Sequence, residues 1–367
     1  MKIFKFSIFL VFIIFIFEFF SFIFVKFKLL SFHDTPYIYL QKNIIPLSHW
    51  RTEEHEWGAW HKSNYSTIHK KKCFSVSYSS NEIGARDSGF KDIKILDNNI
   101  FLIGDSFAEG YGVNIESTAQ YFLEKKLKRN VLNFGTSNDF GPVQYWLIYN
   151  HFSKLYKHNT VIIFLLPDND FTDNDFSVWN NVKRFRPYFL ENEGNYVSFI
   201  PTGAIRKPHR NNSIYEFIKK YFWFSNTLRS IKFLYTKIKN KNEIKNKNEI
   251  KFNEFAHSGY YNSKLYQQKA TIEFLDRIIN SDKNKKYYLV SIPRPQDIDI
   301  FNKGNFLKPY WINYYQNKEK INTNFKFIDL IHYLPKNYNK LYLECDGHWS
   351  AFGNKWVSEI IYKFINN

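Results

Sequence analysis

Ile100-Phe101-Leu102-Ile103-Gly104-Asp105-Ser106-Phe107-Ala108-Glu109-Gly110 is the stretch that decides how this chain reads. Four apolar residues run straight into a serine, with Gly104 before it and Gly110 after it. The pattern is that of a buried strand opening onto a helix. A serine at such a junction points its hydroxyl out of the sheet, and the free N–H groups of the helix start can hold an oxyanion. The same residues also fit a plain strand-to-helix turn in which Asp105 or Ser106 caps the helix.

Outward from this stretch the chain alternates between short apolar runs and helical patterns. Strands are predicted over 100–104, 130–134, 160–166, 286–292 and 325–328, and helices over 117–129, 142–157, 262–280, 309–320 and 350–365. This alternation predicts an α/β fold, a doubly wound, flavodoxin-like parallel sheet of five strands with helices on both faces. Such sheets bind ligands at the C-terminal ends of their strands, so motifs falling there gain weight.

The gap between the third and fourth predicted strands far exceeds an ordinary crossover. Residues 171–260 are therefore expected to be a helical insertion. It contains an aromatic stretch from Ile214 to Tyr235 and a direct repeat, Lys239-Asn240-Lys241-Asn242-Glu243-Ile244 followed by Lys245-Asn246-Lys247-Asn248-Glu249-Ile250. The repeat is polar and low in complexity, as a solvated segment would be. The predicted division is 1–29 as an anchor, 30–94 as a collar with an edge strand, 95–170 and 261–367 as the two parts of the core, and 171–260 as the insertion.

From Ser7 through Val25 nearly every residue is Phe, Ile, Leu or Val, broken by Glu18 and Ser21 and flanked by lysines. That length suits a bilayer-spanning helix of about 20 residues. No small-residue cleavage site follows it, so an uncleaved single-pass anchor is expected. Lys2 and Lys5 balance Lys26 and Lys28, so the residues do not fix its orientation; the main domain is expected outside the cytoplasm. Glu18 is costly in lipid and is expected to meet a partner or sit near the interface.

Composition is less informative. The chain has 367 residues, 44% of them hydrophobic and 20% aromatic, and carries a net charge of +17. Lys, Asn, Ile and Phe are abundant throughout, which weakens any argument from the basic balance. The sequence has no zinc-ligand spacing, RNP-like aromatic pattern or helix-turn-helix signal, so no nucleic-acid partner is expected. Cys73 and Cys345 are the two cysteines, and both a disulfide and free thiols remain open.

Four local signals can carry chemistry. Ser106 is the first. Asn133-Phe134-Gly135 closes the second predicted strand, where Gly135 lets backbone approach a ligand and can present its N–H. Pro167-Asp168-Asn169-Asp170-Phe171 closes the third, and Asn169 offers an amide donor. Asp346-Gly347-His348-Trp349 precedes the last helix; His348 can serve as general base and Asp346 can orient its ring. Each also has a plain structural reading: a turn glycine, solvated loop aspartates, a packed histidine. Asp168, Asp170, Asp173 and Asp175 also allow a cation site. What favours chemistry is that all four signals occur together.

In these four blocks the chain resembles the SGNH (GDSL-type) hydrolase family. Gly104-Asp105-Ser106 with Gly110 matches the nucleophile block, Gly135 the glycine block, Asn169-Asp170 the asparagine block and His348 the final block, in the family's order. Pro167 stands where the third block usually has glycine. The usual Asp-x-x-His spacing would put Cys345 at the acid position. The Asp-x-His-Trp arrangement instead looks similar to polysaccharide O-acetyltransferases of the same fold, which implies Asp346 as the acid. If the segment is extended, residues i and i+2 share a face, so Asp346 can still reach the ring.

The resemblance implies acyl transfer without metal or cofactor. Ser106, His348 and Asp346 would be catalytic, and the oxyanion would be held by the backbone N–H groups of Ser106 and Gly135 and by the Asn169 amide. Three functions follow as expectations. The first is an esterase acting on an acylated small molecule or cell-surface glycan, the second an O-acyltransferase that modifies a polysaccharide, and the third a catalytically silent glycan-binding protein.

Overall fold

The computed structural model describes residues 2–27, 51–71, 73–87, 89–90, 95–137, 140–179, 185–200, 222–224, 227–228, 231, 235, 259–304 and 307–366. The chain divides into two compact units. One comprises Met1–Ile44, Lys70–Phe74 and Pro208–Lys251, and the other Ile45–His69, Ser75–Lys207 and Phe252–Asn367.

In the first unit, helix α1 spans Lys2–Lys26. Phe6, Ile8, Phe9, Phe12 and Phe15 are among its exposed side chains. Glu18 accepts hydrogen bonds from the backbone N–H groups of Trp223 (2.8 Å) and Phe224 (3.2 Å), so this acid does have a partner. Among the described residues no helix is long and apolar enough to cross a membrane. The expected spanning anchor is therefore not supported. Most of the Ile214–Tyr235 stretch and all of the 239–250 repeat lie outside the described residues.

The second unit opens with two hairpins, β1 (Arg51–His55) with β2 (Gly58–His61) and β3 (Ser66–Lys70) with β4 (Ser75–Ser79). Each forms its own two-stranded sheet. Among the described residues of 30–94, the expected edge strand of the collar does not join the main sheet.

The main sheet contains β5 (Ile100–Ile103), β6 (Val131–Asn133), β7 (Thr160–Leu165), β10 (Lys286–Ser291) and β11 (Phe325–Asp329). All its pairings are parallel, and the order is β11-β10-β7-β5-β6. Renumbered within the sheet, that is 2-1-3-4-5, the flavodoxin-like order. Every residue of β5, β6 and β7 is buried, as a parallel sheet covered on both faces requires.

Alternation then sorts the side chains between two cores. Phe101, Ile103, Leu132, Ile163 and Leu289 point to one face. There they meet α4 (Pro142–Phe152), α8 (Leu265–Ile279) and α10 (Tyr310–Ile321). Ile100, Leu102, Ile162, Phe164 and Val290 point to the other. That face is covered by α2 (Ser106–Glu109), α3 (Ala119–Leu127), α9 (Pro295–Lys303) and α11 (Ala351–Asn366).

After β7 come α5 (Pro167–Asp173) and α6 (Phe176–Trp179), then an antiparallel hairpin of β8 (Tyr188–Asn192) and β9 (Asn195–Phe199). The segment expected to be a helical insertion therefore contains a β-hairpin after α6. Its turn is Glu193-Gly194, both at positive φ (+51° and +81°), the backbone that a two-residue hairpin prefers. A short helix, α7 (Gly259–Asn262), leads back into the core.

Strand order reverses between β5 and β7, so their C-terminal ends border the crevice where such sheets take ligands. Ser106 follows β5 and Asn169 follows β7.

Candidate active site

Gly104 is required by packing. A Cβ there would come within 2.8 Å of the Phe164 Cβ. The chain then turns into α2, whose N-cap Asp105 accepts the Phe107 N–H at 2.9 Å. Ser106 is the first residue of α2, so its own N–H has no acceptor within the helix. Gly110 closes α2 in the left-handed region (φ +78°). Arg86 secures this end: its guanidinium donates to the carbonyls of Glu109 (2.8 Å), Gly110 (2.6 Å) and Val113 (2.6 Å).

The Ser106 hydroxyl meets a ring from the far end of the chain. His348 Nε2 lies 2.7 Å from Ser106 Oγ, and His348 Nδ1 faces Asp346 Oδ1 in a short contact. With Nδ1–H donating to the carboxylate, Nε2 is left to accept the serine proton. The ring is held between Tyr111 (centroids 4.3 Å apart) and Phe107 (5.1 Å). Trp349 is buried edge-on against Phe107.

The geometry of the acid differs from the extended segment expected. The N–H groups of Asp346 and Gly347 both donate to the Leu343 carbonyl, at 3.3 and 3.1 Å, and the Leu343 N–H donates to the His348 carbonyl. Gly347 sits at φ +79°. A tight turn with a left-handed glycine, and not a shared face of a strand, brings Asp346 to the ring. Cys345 is no competitor, because both cysteines are disulfide-bonded and neither is a free thiol.

The remaining sequence-predicted residues are near but differently engaged. The Gly135 N–H donates to Asn133 Oδ1 at 2.8 Å. Gly135 is glycine because a side chain there would collide with the backbone of Ala108 and Glu109 in α2. Asn169 lies in the first turn of α5, where Pro167 suits the first helical position. Its Nδ2 donates to Asp173 Oδ2 at 2.6 Å, and its Oδ1 is buried without a hydrogen-bond partner.

The loop aspartates do not converge on a cation. Asp168 accepts from Gln296, Asp170 from Tyr145 and the Leu166 N–H, Asp173 from Asn169, and Asp175 from Ser177, Tyr266 and Gln267. Among the described residues, no group of His, Cys, Asp and Glu is arranged to hold a metal ion.

Burial sets the electrostatics. It pushes the Asp105 carboxyl up to about 6, with the Phe107 N–H and the charges of His348 and Arg294 pulling partly back. It raises Asp173 to about 7, against the pull of Arg186.

Two residues that sequence reasoning missed border this cluster. Tyr111 covers the His348 ring. Arg294 stands just beyond β10, and its position after a strand, in Pro293-Arg294-Pro295, was the available signal. A cavity of about 640 Å³ lined by Tyr196, Lys269, Asp276, Arg277, Tyr310 and Tyr314 shares no residue with the cluster.

No protein-family model matches the chain, and no curated protein matches it. Similar solved structures include a lipolytic protein of the G-D-S-L family from Desulfitobacterium hafniense, at TM-score 0.34 and 13% identity over 72% of this chain and 98% of that one. A family 3 carbohydrate esterase from Clostridium thermocellum is similar at TM-score 0.36 and 11% identity, over 72% of this chain and 94% of that one. A family 2 carbohydrate esterase with a carbohydrate binding domain, from Myceliophthora fergusii, is similar at TM-score 0.36 and 13% identity, over 73% and 65%.

Proposed function

We propose that this chain is a serine-dependent ester hydrolase of the SGNH type, with Ser106 as nucleophile, His348 as general base and Asp346 as the orienting acid. The observation that carries the reading is the 2.7 Å approach of His348 Nε2 to Ser106 Oγ across 242 residues of chain, with Asp346 on the other ring nitrogen.

His348 takes the Ser106 proton as Oγ attacks the ester carbonyl carbon. The Ser106 N–H and the Asn169 amide stabilise the oxyanion that forms. The Gly135 N–H, already bonded to Asn133, serves packing in this scheme. Collapse breaks the bond to the alcohol, which leaves with the proton from the imidazolium. Water, deprotonated by His348, then attacks the acyl carbon; the acyl–Oγ bond breaks, the imidazolium returns its proton to Ser106 Oγ, and the acid is released. Ser106→Ala should cut hydrolysis of 4-nitrophenyl acetate by at least about 10³-fold while the circular dichroism spectrum is unchanged. Undiminished turnover in that variant would remove the reading.

A second reading is favoured by the Asp346-Gly347-His348-Trp349 spacing, which resembles O-acetyltransferases: a sugar hydroxyl in place of water resolves the acyl-enzyme. Product analysis with a saccharide acceptor separates the two, because only a transferase makes acylated sugar. A silent glycan-binding role has no comparable support, given the approach of His348 to Ser106.

Placement outside the cytoplasm and attachment to a membrane through α1 belong to the same proposal. The disulfide-bonded state of Cys73 and Cys345 supports an oxidising compartment. The exposed phenylalanines and isoleucines of α1 support attachment. Flotation of the full chain with liposomes, lost on deleting residues 2–26, is the expected result. Equal flotation of both proteins would count against attachment through α1.

A further inference from the structure

Arg294 closes one side of the Ser106–His348 cluster. Its backbone N–H donates to Asp297 Oδ2 at 2.7 Å, which fixes the start of α9 at the C-terminal end of β10. The side chain turns toward the loop that carries the histidine. Its Nη2 lies 3.0 Å from the point where a Cβ on Gly347 would stand, so a larger residue there would push the guanidinium away. Its Cζ is 6.0 Å from the centre of the Phe107 ring, which is next to Ser106 in sequence.

This guanidinium is poorly satisfied. Nη1 forms an ion pair with Asp168 Oδ2, but at 3.9 Å, beyond hydrogen-bond range. Asp168 Oδ1 already accepts from Gln296 at 3.2 Å. Nε is buried with no hydrogen-bond partner. The side chain is 21% exposed, so it is largely withdrawn from water yet open at one edge. A charged fork with five donors, desolvated to this degree, is costly unless an acceptor completes it. The acceptors that fit a planar fork are the paired oxygens of a carboxylate or a phosphate.

We infer that Arg294 binds an anionic oxygen group, carboxylate or phosphate, on the ester substrate and so selects acidic esters. This inference rests on the ester-hydrolase reading for its reaction, but its binding component can be tested separately. A merely structural Arg294, holding the Gly347 turn, would affect neutral and anionic esters alike.

The test measures kcat/KM for phenyl acetate, 4-acetoxybenzoate and 4-acetoxyphenyl phosphate with the unaltered chain, Arg294→Gln and Arg294→Lys. The anionic-to-neutral ratio should fall about tenfold in Arg294→Gln and less in Arg294→Lys, because a charge-assisted hydrogen bond is lost in the first and partly kept in the second. Whichever of the carboxylate and phosphate ratios falls identifies the group. Unchanged ratios in both variants would overturn the inference. Titration of the same proteins with 4-hydroxybenzoate and with phenyl phosphate, followed by calorimetry, decides the binding independently of turnover. Dissociation constants for one anion weakened about tenfold in Arg294→Gln sustain the site even if no ester is hydrolysed, and constants equal to those of the unaltered chain for both anions overturn it.

Discussion

Asp346 and His348 stand two positions apart, and the left-handed Gly347 between them turns the carboxylate back onto the imidazole ring. The turn is fixed by two N–H groups converging on the Leu343 carbonyl. A spacing that differs by one residue from the Asp-x-x-His pattern thus still puts an acid on the ring nitrogen that Ser106 does not face.

The first prediction concerns this acid. Asp346→Asn should lower kcat for a small acetyl ester by about 10⁴-fold near neutral pH with little change in KM, because the ring loses the partner that fixes its tautomer. Gly347→Ala should cost about 1–2 kcal/mol of stability, since a Cβ is strained at φ +79°. Steady-state kinetics and denaturant melts check the pair.

A second prediction concerns the support beneath the serine. Arg86 is 1% exposed, and its guanidinium satisfies the carbonyls of Glu109, Gly110 and Val113. Arg86→Met fills similar space but leaves those acceptors buried and unpaired. The loss should be about 3 kcal/mol, read as a lower denaturation midpoint at an unchanged slope.

A third prediction concerns pH. Burial raises the folded-state Asp105 carboxyl from 3.8 to about 6. Between those values the folded chain binds more protons than the unfolded one at this group, so its contribution to stability falls as pH rises from about 4 to about 6 and stays low above. The penalty is about 3 kcal/mol at most. Asp105→Asn removes the titration, so its stability relative to the unaltered chain should improve between pH 4 and pH 7.5. A constant difference across that range would contradict the assignment.

Much of this was legible in the sequence because parallel strands buried on both faces read as unbroken apolar runs. Ile100–Ile103 and Thr160–Leu165 are such runs, and the helices between them carry clear periodicity. The order of Ser106, Gly135, Asn169 and His348 was also readable, because each lies just beyond a strand or before a helix. What each side chain touches was not. Nothing local distinguishes a Gly135 N–H aimed at a ligand from one bonded to Asn133 Oδ1. The β8–β9 hairpin is short and its outward residues mixed, and only Glu193-Gly194 marks its turn. Arg86 acts across distances that no local pattern records.

A fourth prediction concerns the cysteines. Since Cys73 and Cys345 are disulfide-bonded, iodoacetamide added to the denatured, unreduced chain should alkylate neither. Both should react after reduction. Alkylation of either before reduction would contradict the bonded state.

The central claim is that His348 activates Ser106, and the most direct measurement is the rate of covalent labelling by a serine-directed fluorophosphonate, read by mass spectrometry of the peptide containing Ser106. The unaltered chain should carry an adduct on Ser106 and Ser106→Ala none, and labelling should slow by at least about 10³-fold in His348→Ala. No adduct on Ser106, or labelling at an unchanged rate without His348, would contradict it.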